Sequence, residues 1–177
     1  MPLSENPIMN QNCLPGELAF SQMLEKLAHT LGANGWRLAT AESCTGGWIA
    51  KCCTDQAGSS AWFDRGYVTY SDQAKQEMLG VDVETLQSSG AVSQIVARQM
   101  AEGARRIGGV DVALSVTGIA GPGGGSANKP VGTVWFGWSV GDQETRTEVM
   151  RFAGEREAVR QQTVSHSLCR LLDFLNQ

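Results

Sequence analysis

The sequence predicts an α/β fold: a layered single domain with a mixed β-sheet flanked by helices. Three observations carry that prediction. Apolar residues such as Leu24, Leu27 and Leu31 recur at helical spacing in several segments. Between those segments lie short strand-like runs, and the run 110–116, rich in Val, Ala and Leu, suits a central strand covered on both faces. The last two strand-like runs, 131–140 and 145–152, are joined by Gly141-Asp142, a hairpin turn, so not every strand pair is linked through a helix.

In chain order, residues 1–16 carry prolines and asparagines without periodicity and are expected to form a flexible tail outside the domain, which spans 17–177. From Glu17, the positions Leu18, Met23, Leu24, Leu27, Ala28 and Leu31 predict a helix stopped by Gly32 or Gly35. Residues 36–41 read as a buried strand and 44–54 as a helix whose first turn holds Gly46-Gly47. Gly58-Ser59-Ser60 is a loop, and 66–70 is a second strand. Ser71 is a favourable N-cap for a helix to Met78 that ends at Gly80. A short helix over 83–87 follows. Ser93 then caps a longer helix to Ile107, with Val96, Met100, Ala104 and Ile107 on one face. The glycine-rich stretch 117–126 cannot be helical, and a last helix runs over 155–174.

Composition excludes several classes. At 177 residues the chain buries a core without staples, and its net charge of −4 offers no footprint for nucleic acid. Arg105-Arg106, an adjacent basic pair, reads as a solvated helix face. Five cysteines form an odd set without a CxxC, so free thiols in a reducing cytoplasm are expected, and adjacent Cys52 and Cys53 are poorly placed to bridge. No apolar run approaches the ~20 residues of a membrane span. Trp48, Trp62, Trp135 and Trp138 are more large aromatics than such a core needs, which points to an interface.

The chemistry concentrates in Glu42-Ser43-Cys44-Thr45-Gly46-Gly47, between a strand and a helix. Ser43 has three readings here: a nucleophile, a contact for a ligand phosphate, or the N-cap of the following helix. Thr45, Gly46 and Gly47 would present helix-terminal N–H groups to an oxyanion or anion. His29 and His166 read as surface or packed residues, which leaves Lys75 as the candidate base and Tyr70 as a group that holds the lysine or relays a proton. The alternative is a core Tyr70 beside a solvated Lys75. The loop from Thr117 and Gly118 through Gly121 and Gly123 has the makings of an anion nest, with Lys129 at its rim, or is a plain hairpin connection. It matches neither a Walker P-loop nor GxGxxG.

Together, the Glu42–Gly47 motif, Gly58-Ser59-Ser60, the run from Tyr70 to Lys75, Gly90-Ala91-Val92-Ser93, and Thr117 to Pro122 continuing through Lys129 to Val134 resemble the CinA C-terminal domain family. Its characterised members are nicotinamide-nucleotide amidases. The resemblance covers nearly the whole folded part and points to the stand-alone form of the enzyme. It implies hydrolysis of the carboxamide of nicotinamide mononucleotide to nicotinic acid mononucleotide and ammonia, without metal or cofactor. It also implies a Ser43–Tyr70–Lys75 catalytic set and a homodimer or larger assembly. On this reading Thr45, Gly46 and Gly47 hold the oxyanion, the loop with Thr117, Gly118, Gly121 and Gly123 contacts the 5′-phosphate, and Ser59 and Ser60 add hydroxyls. Asp72 departs from the family pattern, which more often has Asn there, and a carboxylate three residues from Lys75 raises a lysine pKa. Two other readings stay open: a catalytically silent nucleotide-binding relative, and a Ser-Lys hydrolase of another amide.

Overall fold

The computed structural model of the chain describes residues 16–177, so the expected tail over 1–16 lies, apart from Gly16, outside the described residues. Helix α1 (Glu17–Ala33) leads into β1 (Leu38–Glu42), α2 (Trp48–Thr54), a 3-10 turn (Ser59–Ala61) and β2 (Phe63–Val68). Then come α3 (Asp72–Leu79), α4 (Val83–Ser89), α5 (Gln94–Gly108), β3 (Val112–Gly118), β4 (Thr133–Val140), β5 (Arg146–Arg151) and α6 (Arg156–Leu175). The strands form one mixed sheet in the order β2-β1-β3-β4-β5. β1 runs parallel to β2 and β3, and the β3–β4 and β4–β5 pairs are antiparallel. The expected α/β class and mixed sheet are both present.

Alternation along the strands divides the interior into two cores. Leu38, Val112, Leu114, Val116, Phe136 and Trp138 pack on one face with residues of α1, α2 and α6. Ala39, Ala41 and Ala113 point to the other face, where α3, α4 and α5 supply Leu79, Leu86, Val96, Met100 and Ala104. Side chains on that second face are small, which lets α5 lie close to the sheet. The Ser115 hydroxyl donates to the Ala97 carbonyl at 2.6 Å, and a Cβ on Gly137 would stand 2.6 Å from that carbonyl oxygen.

Several boundaries differ from expectation for identifiable reasons. Leu18 is exposed, so the buried stripe of α1 starts at Leu24. Ile107 is exposed and Arg105 Nε donates to Ser139 Oγ at 2.9 Å, so the tail of α5 turns an arginine rather than the isoleucine toward the sheet. β3 starts at Val112 because Gly109 (φ 60°) ends α5 and the Val110 N–H still caps it through the Arg105 carbonyl. Ser71 and Ser93 cap α3 and α5 as expected, accepting from the Ala74 and Val96 N–H groups. Trp62 and Trp138 belong to the first core, and the Trp138 indole donates to the Ser167 carbonyl, so packing accounts for those two tryptophans. Cys44, Cys52 and Cys53 are buried and unbridged. Among the described residues no helix is long and apolar enough to cross a membrane.

Candidate active site

The carboxyl ends of β1, β2 and β3 face the same way, and the segments leaving them meet at one cavity, the general location for ligands in open parallel sheets. β1 ends at Glu42. Ser43 is held just beyond it by its own N–H on the Val116 carbonyl of β3, and the Glu42 carbonyl accepts from the Thr69 N–H after β2. Residues 43–47 form a tight turn rather than helix, since Gly46 (φ 60°) and Gly47 (φ 99°) sit in the left-handed region that glycine alone enters freely. The helix expected from Cys44 therefore starts at Trp48, and Ser43 is not its cap.

The positive end of α2 is filled by the protein itself. The Glu42 carboxylate, 1% exposed, accepts from the N–H groups of Gly47 (3.1 Å), Ile49 (2.9 Å) and Ala50 (2.8 Å) and from the Thr45 hydroxyl (2.7 Å). No anion from outside is needed there. The Gly46 N–H is also engaged, on the Ser43 carbonyl at 3.1 Å. Among the described residues the N–H groups of Cys44 and Thr45 engage no backbone carbonyl.

Ser43 faces Lys75. The lysine lies on the inner face of α3, one turn before buried Leu79, and only 1% of it is exposed. Its Nζ is 3.1 Å from Ser43 Oγ and donates to the Thr69 carbonyl at 3.0 Å. Burial pulls the lysine below its ordinary value, and the opposing carboxylate of Asp72 does not reverse the direction. A partly desolvated amine at hydrogen-bond distance from a hydroxyl is the arrangement of a base and its nucleophile. The neighbouring Cys44 thiol is no rival, because burial pushes it up to about 12.

The cavity around this pair measures about 220 Å³ and is lined by Ser43, Cys44, Lys75, Tyr70, Asp72, Ala91, Val92, Thr117, Gly118, Ala120 and Arg156. Of the expected site residues, Ser43, Tyr70, Lys75, Thr117 and Gly118 thus come together. Tyr70 follows β2 rather than ending it, is 62% exposed, and its hydroxyl accepts from Arg156 Nη2 at 3.0 Å instead of meeting Lys75. Thr117 Oγ1 donates to the Ala91 carbonyl at 2.9 Å, and the Gly121 carbonyl accepts from Arg156 Nη1 at 2.7 Å.

Other expected members are elsewhere. Gly123 is exposed and does not line the cavity. Ser59 and Ser60 precede Phe63, which pairs with Leu38 at the start of β1, so the chain leaves them at the end of the sheet opposite Ser43. Lys129 binds the Ser89 carbonyl at 2.8 Å and so anchors its loop to α4. His29 is exposed. His166 packs on Phe136 with a ring separation of 4.8 Å. Among the described residues no cluster of three or more His, Cys, Asp or Glu could hold a metal ion.

Sequence reasoning missed the inward role of Glu42 and two arginines on α6. Arg156 and Arg160 are four apart, hence on one helix face, and that spacing was the available signal. Arg156 enters the cavity wall. Arg160 grips the Ser43 turn, donating from Nε to the Cys44 carbonyl (3.1 Å) and from Nη2 to the Thr45 carbonyl (3.0 Å).

The chain is 55% identical over 152 residues to nicotinamide-nucleotide amidohydrolase PncC of Enterobacter agglomerans, which covers 86% of this chain and 93% of that protein. It is 52% identical over 147 residues to the protein of the same name in Escherichia coli K12, covering 83% and 89%. Its fold is similar to the crystal structure of competence damage-inducible protein A from Klebsiella pneumoniae, with a TM-score of 0.86, 42% identity, and coverage of 89% and 98%. The model of the CinA C-terminal domain matches residues 20–175, from within α1 to the last residue of α6, and the chain belongs to the CinA C-terminal domain family.

Proposed function

We propose that this chain hydrolyses the carboxamide of nicotinamide mononucleotide to nicotinic acid mononucleotide and ammonia, with Ser43 as nucleophile and Lys75 as base. The observation that carries this is the 3.1 Å approach of Lys75 Nζ to Ser43 Oγ on the wall of a cavity, with the lysine almost fully buried. The names of relatives that share more than half of the aligned residues supply the substrate.

Neutral Lys75 takes the Ser43 proton directly, without Tyr70 between them, and Ser43 Oγ bonds to the amide carbon. The tetrahedral oxyanion is received by the N–H groups of Cys44 and Thr45, the donors of the turn that engage no backbone carbonyl, instead of those of Gly46 and Gly47. Lys75 then returns the proton to the amide nitrogen, the C–N bond breaks, and ammonia leaves an ester on Ser43. Water, deprotonated by Lys75, attacks that ester. The C–Oγ bond breaks and Ser43 recovers its proton. Arg156, beside Gly121 and Tyr70, is the cation placed to meet the 5′-phosphate, in the role assigned from sequence to the glycine-rich loop with Lys129 at its rim and hydroxyls from Ser59 and Ser60.

The decisive assay is ammonia release by the purified protein from nicotinamide mononucleotide against free nicotinamide, with Ser43→Ala as the control. The mononucleotide is expected to be the far better substrate, because phosphate binding helps to place the amide. The substitution is expected to lower kcat by at least a thousandfold. Full activity in Ser43→Ala, or none in the unaltered protein, would sink the proposal.

A further inference from the structure

Arg160 lies outside the cavity, yet its guanidinium donates two hydrogen bonds to the turn that carries the nucleophile. In a trans peptide the carbonyl and the N–H point in opposite directions. When the guanidinium holds the Cys44 carbonyl, the N–H of that same peptide, which belongs to Thr45, is turned away from Arg160. When it holds the Thr45 carbonyl, the Gly46 N–H is turned away likewise, and that N–H donates to the Ser43 carbonyl. The Ser43 carbonyl in turn shares its peptide with the Cys44 N–H. Two relays therefore begin on one guanidinium. One ends on the Thr45 N–H and the other on the Cys44 N–H, the two amides that engage no backbone carbonyl among the described residues.

Each relay also carries polarisation. A cation on a carbonyl oxygen draws electron density through the peptide and makes its N–H a better donor, and linked hydrogen bonds reinforce one another. The guanidinium is fixed in turn by the Trp48 ring, 5.3 Å from its Cζ, and by the half-buried setting of Arg160 on α6. On the other side of the turn, Glu42 holds the Thr45 hydroxyl and the Gly47 N–H. The turn is thus clamped from both sides, and only the Arg160 side reaches the Thr45 N–H through its own peptide and the Cys44 N–H through the Gly46–Ser43 hydrogen bond.

We infer that Arg160 is a positioning residue for the reaction, orienting and polarising the Cys44 and Thr45 N–H groups that receive the oxyanion; this rests on the reading of Ser43 as nucleophile. Substrate binds through other groups, so loss of Arg160 acts on the transition state and leaves the ground-state complex alone.

Steady-state ammonia release from nicotinamide mononucleotide tests this in the unaltered protein, Arg160→Ala and Arg160→Lys, with melting temperature and far-UV circular dichroism recorded for each. Removal of one oxyanion donor typically lowers kcat by 10²–10³-fold, so Arg160→Ala, which leaves the donors present but unaimed, is expected to lose roughly 10–100-fold in kcat with KM within about threefold. Guanidinium chloride at tens of millimolar is expected to restore part of the lost kcat in Arg160→Ala and to do nothing for the unaltered protein. Arg160→Lys, with one compact donor group in place of a fork, is expected to fall between the two. Unchanged kcat in Arg160→Ala would overturn the inference. So would a loss that guanidinium does not relieve and that Arg160→Lys, folded and as stable as the unaltered protein, does not share. No ammonia from the unaltered protein would overturn both the inference and the functional reading. Activity there with full kcat in Arg160→Ala would overturn the inference alone.

Discussion

The ammonium of Lys75 gives up most of its water inside the protein and gets back one carbonyl and one hydroxyl. Its pKa in the folded chain therefore lies below the 10.5 of a free lysine. Between those two values the unfolded chain binds one proton more than the folded chain, so this residue makes stability rise with pH across that window. In the proposed mechanism the same shift serves catalysis, because the neutral fraction of Lys75 grows as pH rises through the folded value. Asp72 opposes the shift, and Asp72→Asn is expected to move the acidic limb of the kcat/KM profile to lower pH. A limb that stays in place, or moves up, would show that Asp72 has no hold on Lys75. Glu42 makes a different demand, since four donors converge on its two oxygens within 3.1 Å. Glu42→Gln puts an NH₂ against an N–H and is expected to cost about 3 kcal/mol in urea unfolding.

At the scale of elements, the position of Lys75 depends on how α3 lies against α5. A Cβ on Gly103 of α5 would stand 2.0 Å from the Leu79 carbonyl at the end of α3, so the two helices touch through backbone. Gly103→Ala is expected to destabilise the fold by about 2 kcal/mol and also to lower kcat, because α3 carries Lys75, the proposed base. Calorimetry and ammonia release on one preparation would check both. That contact was not legible in the sequence, where Gly103 is one glycine within a helical pattern. Ser71, Gly80 and Ser93 were legible, because caps and stops act within a few residues of themselves. The start of α2 was misplaced for a related reason. Ser43 looks like a cap from local sequence, and only the folded chain shows that Glu42 fills the helix end and that Lys75 engages the Ser43 hydroxyl. Arg156 and Arg160 reach the site from the far end of the chain, a distance that no local pattern spans.

Over the whole molecule, the sheet separates two cores, and the cavity opens where the ends of its three parallel strands meet. A ligand seated there bridges segments from β1, β2, β3, α3 and α6, so it stabilises the folded state as a unit. Nicotinamide mononucleotide at a hundredfold excess over its dissociation constant is expected to add about 2.7 kcal/mol, read as a rise in melting temperature of Ser43→Ala, which on the proposed mechanism binds without turnover. Inorganic phosphate at the same concentration is expected to give a much smaller rise. The filled end of α2 bears on how the reaction finishes. An amidase turns a neutral group into an anion within reach of its own oxyanion donors, and an open helix terminus beside Ser43 would retain that anion. Because Glu42 occupies the terminus from within, the newly made carboxylate finds no helix end to rest on, and the route out of the pocket is left free of a trap for the acid it produces.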